Sequence, residues 1–129
     1  MFDNYVFTEG TARNITEDGQ VIGFGLDTLI TYYRGIPLSM VHDVALTIDD
    51  EAVPRGELVI SPNDADWFTL AEAETVTTYR WEYGTPLHVR WLRPGGLTPG
   101  EHKVKLELKV RVAYIPAPFG GERTRQVTV

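Results

Sequence analysis

The sequence predicts an all-β protein, a single-domain antiparallel β-sandwich. Three observations carry that expectation. From Lys103 to Tyr114 the chain alternates, with Val104, Leu106, Leu108, Val110, Val112 and Tyr114 on one side and Lys103, Lys105, Glu107, Lys109 and Arg111 on the other. Strand side chains point to opposite faces in turn, so this run is an amphipathic strand with one buried face. Further short alternating runs are separated by Gly, Pro, Asn and Asp, the pattern of a sandwich or barrel. No long helical period is present. At 129 residues, one domain spanning 1–129 buries about two-thirds of its unfolded surface. Residues 1–20 read as an irregular N-terminal arm, with Thr11–Gln20 either a strand-loop or a mobile segment.

The elements follow in order. Gly25–Tyr33 is the first clear strand, with Leu26, Thr28, Ile30 and Tyr32 opposing Asp27, Leu29, Thr31 and Tyr33. Ser39–Ile48 is the second, with Met40, His42, Val44, Leu46 and Ile48 on one side. Asp49-Asp50-Glu51 is a polar turn, and Gly56–Ile60 is expected to pair with Ser39–Ile48 as a hairpin with a long loop. Ser61-Pro62-Asn63-Asp64 reads as a turn, with one helical turn capped by Ser61 as its regular form. Trp67–Leu70 and Val76–Tyr83 are extended, being rich in aromatic and β-branched residues. Leu87–Leu92 is a short strand. Arg93–Gly100 is loop and turn. The long strand follows and breaks at Pro116-Ala117-Pro118-Phe119-Gly120-Gly121, and Thr124–Val129 closes the sheet.

Composition narrows the function classes. There is no cysteine, hence no disulfide, thiolate zinc site or thiol nucleophile. Together with a start that lacks a secretory signal, this points to a reducing, cytoplasmic setting. No apolar run is long enough to span a bilayer. A net charge of −6 argues against nucleic acid, whose binding needs a basic surface.

No catalytic motif stands out. A Gly-x-Ser-x-Gly elbow and a phosphate-binding loop are absent, and Gly23-x-Gly25 lacks the third glycine and the helix of a dinucleotide site. His42, His88 and His102 are not spaced as metal ligands. His42 reads as a hydrogen-bonded core histidine, and His102 as a turn or interface residue. Asp49, Asp50 and Glu51 lack calcium-loop spacing, and Glu72 and Glu74 give no sign of facing each other across a cleft. The expectation is therefore no catalytic residue and no metal on this chain.

The aromatic residues point elsewhere. Trp81 and Trp91 read as core. Two loci do not: Tyr32-Tyr33-Arg34-Gly35-Ile36-Pro37 and Tyr114-Ile115-Pro116-Ala117-Pro118-Phe119 each join aromatic rings to a stiff proline at a strand end. Tyr and Arg are favoured at interface centres, and proline lowers the entropy lost on docking. A free-standing carbohydrate-binding sandwich, using exposed Trp or Tyr as sugar platforms, is the alternative from the residues alone.

Tyr33-Arg34-Gly35-Ile36-Pro37-Leu38-Ser39, Pro94-Gly95-Gly96-Leu97-x-x-Gly100-x-His102 and Arg111-x-x-Tyr114-Ile115-Pro116 together resemble the small (beta) subunit of bacterial C-glycoside deglycosidases. The ordered combination carries the resemblance, since no single motif is diagnostic. It implies a TIM-barrel alpha subunit as partner in a heterodimer that assembles further. That subunit would hold a divalent metal, Mn2+ in type. The pair would cleave the carbon–carbon bond between a 3-oxo sugar and an aromatic, flavonoid-type aglycone. In that reaction a ketone at C3 would acidify the C2 proton, a general base would take it, a metal on the ketone oxygen would stabilise the enolate, and the aglycone would leave from C1 as its carbon is protonated. In that scheme this chain has no cofactor of its own and is inactive alone. Its contact and pocket-rim residues would be Tyr32, Tyr33, Arg34, Ile36, Pro37, Tyr114, Pro116 and Phe119.

Overall fold

A computed structural model describes residues 6–30, 35–111 and 119–129, with Phe119 described by its backbone alone. It is an antiparallel sandwich, as the alternation predicts. Strands β1 (Arg13–Glu17), β2 (Gln20–Thr28), β6 (Leu58–Ser61), β7 (Phe68–Thr69) and β9 (Leu87–Leu92) form one sheet in the order β1-β2-β9-β6-β7. Strands β4 (Val41–Ile48), β5 (Glu51–Ala52), β10 (Glu101–Val110) and β11 (Phe119–Thr128) form the other, in the order β11-β10-β4-β5. A two-stranded piece pairs β3 (Ile36–Pro37) with β8 (Arg80–Trp81).

The long alternating run is β10. Val104, Leu106, Leu108 and Val110 are fully buried and face Phe24, Leu26, Leu58, Ile60, Leu87 and Val89 in one hydrophobic core. Each such side chain contributes about 1.5–3 kcal/mol through burial. Trp81 and Trp91 belong to this core. Each indole N–H is satisfied, Trp81 donating to the Thr85 carbonyl and Trp91 to Glu57, both at 2.9 Å.

Of the two readings of Thr11–Gln20, the structure shows the strand-loop, with β1 leading into a tight turn. Asp18 and Gly19 both have positive φ (51° and 78°) and close the β1–β2 hairpin in two residues. That is the twist-compatible turn geometry for adjacent antiparallel strands. The same chemistry corrects the predicted long hairpin. Asp49 and Asp50 (φ 51° and 68°) turn β4 straight back onto β5, with Ile48 opposite Glu51. The chain then changes sheets, and β6 pairs with β9, not with β4.

Two further expectations are corrected. Ser61 caps no helical turn. Asn63 instead folds the segment on itself, its Oδ1 accepting from the backbone N–H groups of Ala65 and Asp66 at 3.0 and 2.9 Å. Leu70, expected to end an extended run, instead opens a short helix, Leu70–Ala73 (α1), closed by a Thr69–Glu72 capping box.

Candidate functional site

The site is built where β3, the start of β4 and the end of β10 converge. Backbone bonds from Leu38 N to Tyr79 O and from Ser39 N to Val76 O, both 2.9 Å, hold the 3-10 turn Leu38–Met40 in place. Arg80 donates to the Gly35 carbonyl at 3.2 Å. Arg111 N donates to Met40 O at 2.8 Å. That last bond ties the residue leaving β10 to the residue entering β4. Gly35 follows the Tyr32–Arg34 segment, Arg111 precedes the Tyr114–Phe119 segment, and the first residue of β11 pairs with Val110. The described flanks of the two aromatic and proline-bearing stretches singled out in the sequence therefore lie at one end of the sandwich.

A cleft of about 470 Å³ opens there, lined by Ser39, Val41, His42, Asp43, Arg55, Glu74 and Arg111. His42 is not the core residue that the alternation predicts. The β4–β10 register slips, with Lys109 opposite Asp43 but Val110 opposite Val41. His42 is the extra residue of that bulge, and a bulge re-aims side chains. Arg111 Nε donates to His42 Nδ1 at 2.9 Å. Nδ1 therefore presents its lone pair, and a neutral ring carries its proton on Nε2. Beside it, Arg55 Nε meets Asp43 Oδ1 at 3.0 Å, both side chains nearly half exposed. The cleft offers a ring N–H, two guanidinium groups and carboxylates. It is equipped to form hydrogen bonds with a partner or ligand, and among the described residues no hydrogen bond joins Ser39 to His42.

The opposite end of β4 is a structural clamp. His102 places Nδ1 2.7 Å from Asp49 Oδ2 and Nε2 2.7 Å from the Thr98 carbonyl. A carbonyl only accepts and a carboxylate accepts when ionised, so both ring nitrogens donate and the imidazolium form is favoured. The Asp49 hydrogen bond, and then the Thr98 carbonyl, raise the His102 pKa above its ordinary 6.5. The His102 bond, followed by the Lys103 backbone N–H, lowers that of Asp49. Asn14 completes the clamp from β1, bonding both the N–H and the carbonyl of Leu97 at 2.9 and 3.0 Å. Gly96 sits at φ 58°, and a Cβ there would lie 2.4 Å from Asn14 Oδ1. The Pro94–His102 motif is thus explained by turn packing.

A third polar group lies on the outer face of the five-stranded sheet. Asp27 and His88 are cross-strand partners, their side chains 2.7 Å apart and only 16% and 20% exposed. Arg90 covers the Trp67 ring at 4.0 Å. With Trp81 and Trp91 in the core, no tryptophan offers an uncovered, exposed ring as a sugar platform. Among the described residues no three His, Cys, Asp or Glu side chains converge to hold a metal ion.

Of the residues named from the sequence for the rim, Tyr32, Tyr33, Arg34, Tyr114, Pro116 and the Phe119 side chain lie outside the described residues. Ile36 turns inward, 4% exposed, and pairs with Trp81, so its side chain belongs to the core and not to a rim. Pro37 pairs with Arg80 and is partly exposed. The sequence reading missed His42, Asp43, Arg55 and Glu74 as cleft residues. Arg111 stood in the third motif, which was the one available signal.

A family model described as C-glycoside deglycosidase beta subunit matches residues 2–114. The chain belongs to this family. It is 35% identical over 108 residues to the 3'-dehydrocarminate deglycosidase beta subunit of a Microbacterium species, covering 81% of this chain and 80% of that one. It is 27% identical over 105 residues to the C-glycoside deglycosidase beta subunit of Eubacterium cellulosolvens, covering 81% and 71%. The deglycosidase match takes in the whole cleft and the His102 clamp, while β11 lies beyond it. A beta subunit implies a partner subunit. Among the described residues no helix is long and apolar enough to cross a membrane.

Proposed function

We propose that this chain is the accessory subunit of a C-glycoside deglycosidase and seats its His42–Arg111 end against a TIM-barrel alpha subunit. The alpha subunit would carry the divalent metal and the groups that break the carbon–carbon bond of a 3-oxo, aromatic C-glycoside in the cytoplasm. The Arg111 N to Met40 O bond carries the reading. It brings Arg111, which precedes one proline-bearing aromatic segment, next to Met40, three residues beyond Pro37 of the other, beside a cleft of hydrogen-bonding groups. A relative named for a dehydro substrate supports an oxidised sugar as the reacting partner. Within the cleft, this chain's part is to donate hydrogen bonds and to exclude water from the seam, because His42 Nδ1 is already engaged.

Arg111→Ala tests it. Arg111 is exposed, so the isolated chain should keep its thermal stability. Assembly with the alpha subunit, followed by calorimetry, should weaken by about tenfold or more, as for an interface arginine. The isolated chain should show no turnover of a 3-oxo C-glycoside. Unchanged affinity and unchanged turnover in the variant would remove this end from the interface.

A further inference from the structure

Strand β11 is an edge strand. It pairs with β10 on one side, and among the described residues nothing pairs with the other. Val129 and Gly100 exchange both backbone hydrogen bonds, at 2.9 and 3.1 Å. The ladder then runs to Phe119 with no slip in register. Hydrogen-bonded pairs alternate along an antiparallel ladder. The N–H and C=O groups of Thr128, Gln126, Thr124, Glu122 and Gly120 therefore point away from β10.

The same strand carries two inward-facing arginines. Arg123 is opposite Leu106 and Arg125 opposite Val104, both fully buried, and cross-strand partners share a face. Arg125 is anchored, its Nε donating to the Phe7 carbonyl at 2.8 Å. Arg123 is not, and its Nε is buried without a hydrogen-bond partner among the described residues. Neither forms a salt bridge there. Both line a groove of about 560 Å³ between β11 and the segment Phe7–Ala12, with Glu9 the one acidic group in its lining.

From this edge we infer that β11 accepts an added strand from the partner subunit, one bearing carboxylates at alternate positions. Carboxylates two residues apart on an extended segment are about 6.8 Å apart, matching the i, i+2 spacing of Arg123 and Arg125. The edge groups supply backbone affinity, and the arginines select for acid, as in strand-addition recognition. A second copy of this chain fits worse. A two-fold antiparallel pairing of β11 with itself would bring arginines opposite arginines, and like charges facing across a ladder repel. The inference rests on the subunit reading above, but it places a second contact outside the cleft.

Hydrogen exchange with and without the alpha subunit tests it. In the assembled enzyme the amides of Glu122, Thr124 and Gln126 should exchange at least about tenfold more slowly than in the free chain. Arg123→Glu should weaken assembly by about tenfold or more, and Arg123→Lys should largely retain it. A blocked peptide with alternating glutamates, titrated to about 1 mM on the free chain, should slow the same amides, while its lysine counterpart should not. Assembly that leaves these amides at their free rate overturns the inference and leaves the subunit reading intact. If no alpha subunit assembles, the subunit reading falls, and the peptide judges the edge alone. A peptide that protects nothing, or protects equally with lysine, reduces Arg123 and Arg125 to guards against edge pairing.

Discussion

His42 and His102 stand beside opposite ends of β4 and do opposite things. His102 spends both ring nitrogens on its own chain, on Asp49 and on the Thr98 carbonyl. His42 receives one bond from Arg111 and opens with it onto a cleft. The first is a rivet and the second a presented group. A histidine whose two nitrogens are satisfied internally, in a turn also held by Asn14 and Gly96, has little left to offer a partner. A histidine thrown outward by a bulge has its Nε2 free among the described residues. Both ends fall within the family match, so membership alone does not separate the clamped end from the end proposed to dock. Hydrogen-bond satisfaction does.

The comparison breaks hardest in the strand that joins the two ends. Leu46 is buried at the middle of β4, and Leu46→Ala should cost about 2–5 kcal/mol in denaturant unfolding. If β4 couples the two ends, Leu46→Ala should release both the His42 cleft and the His102 clamp together in hydrogen exchange. Release of only one would show that β4 does not couple them.

Gly96→Ala strikes the rivet end alone. The left-handed backbone and the Asn14 contact both resist a Cβ, so a loss of more than about 1 kcal/mol is expected. Assembly per folded molecule should be unchanged. A wild-type Tm would show that the loop yields and that the clamp is looser than its geometry.

The pH dependence sharpens the contrast further. His102 has a raised pKa, so its support is fully present below its ordinary 6.5 and fades as pH rises through the higher folded value. Asp49 has a lowered pKa, so its support is present above its ordinary 3.8 and fades as pH falls through the lower folded value. The Tm difference between wild type and His102→Gln should be greatest between those two ordinary values and shrink above 6.5. A difference that is flat with pH would mean that His102 is not charged in the fold. His42→Ala gives the smallest effect, within about 0.5 kcal/mol of wild type, because the side chain is only partly buried.

Much of this architecture was legible residue by residue. The alternation of β10, the strand Leu87–Leu92 and the core positions of Trp81 and Trp91 follow from periodicity and side-chain size. The site was less so. His42 shares its parity with Val44 and Leu46, and only a one-residue slip against β10 turns it outward. Asp49-Asp50 looked like part of a long loop, because aspartates in left-handed turns carry a weaker signal than Asn-Gly. The Asp27–His88 pair lies 61 residues apart and exists only through the β2–β9 register.

By itself the sequence determined most of the strands, though not β1 or the first half of β2, which of their faces are apolar and which family the motifs resemble. These are local properties, set by each residue and its neighbours at i±2. The tertiary structure decided which strands lie side by side, where the bulge falls, and which histidine is enclosed and which is offered. Those outcomes depend on contacts between segments distant in the chain, where a shift of one residue moves a side chain from one face to the other.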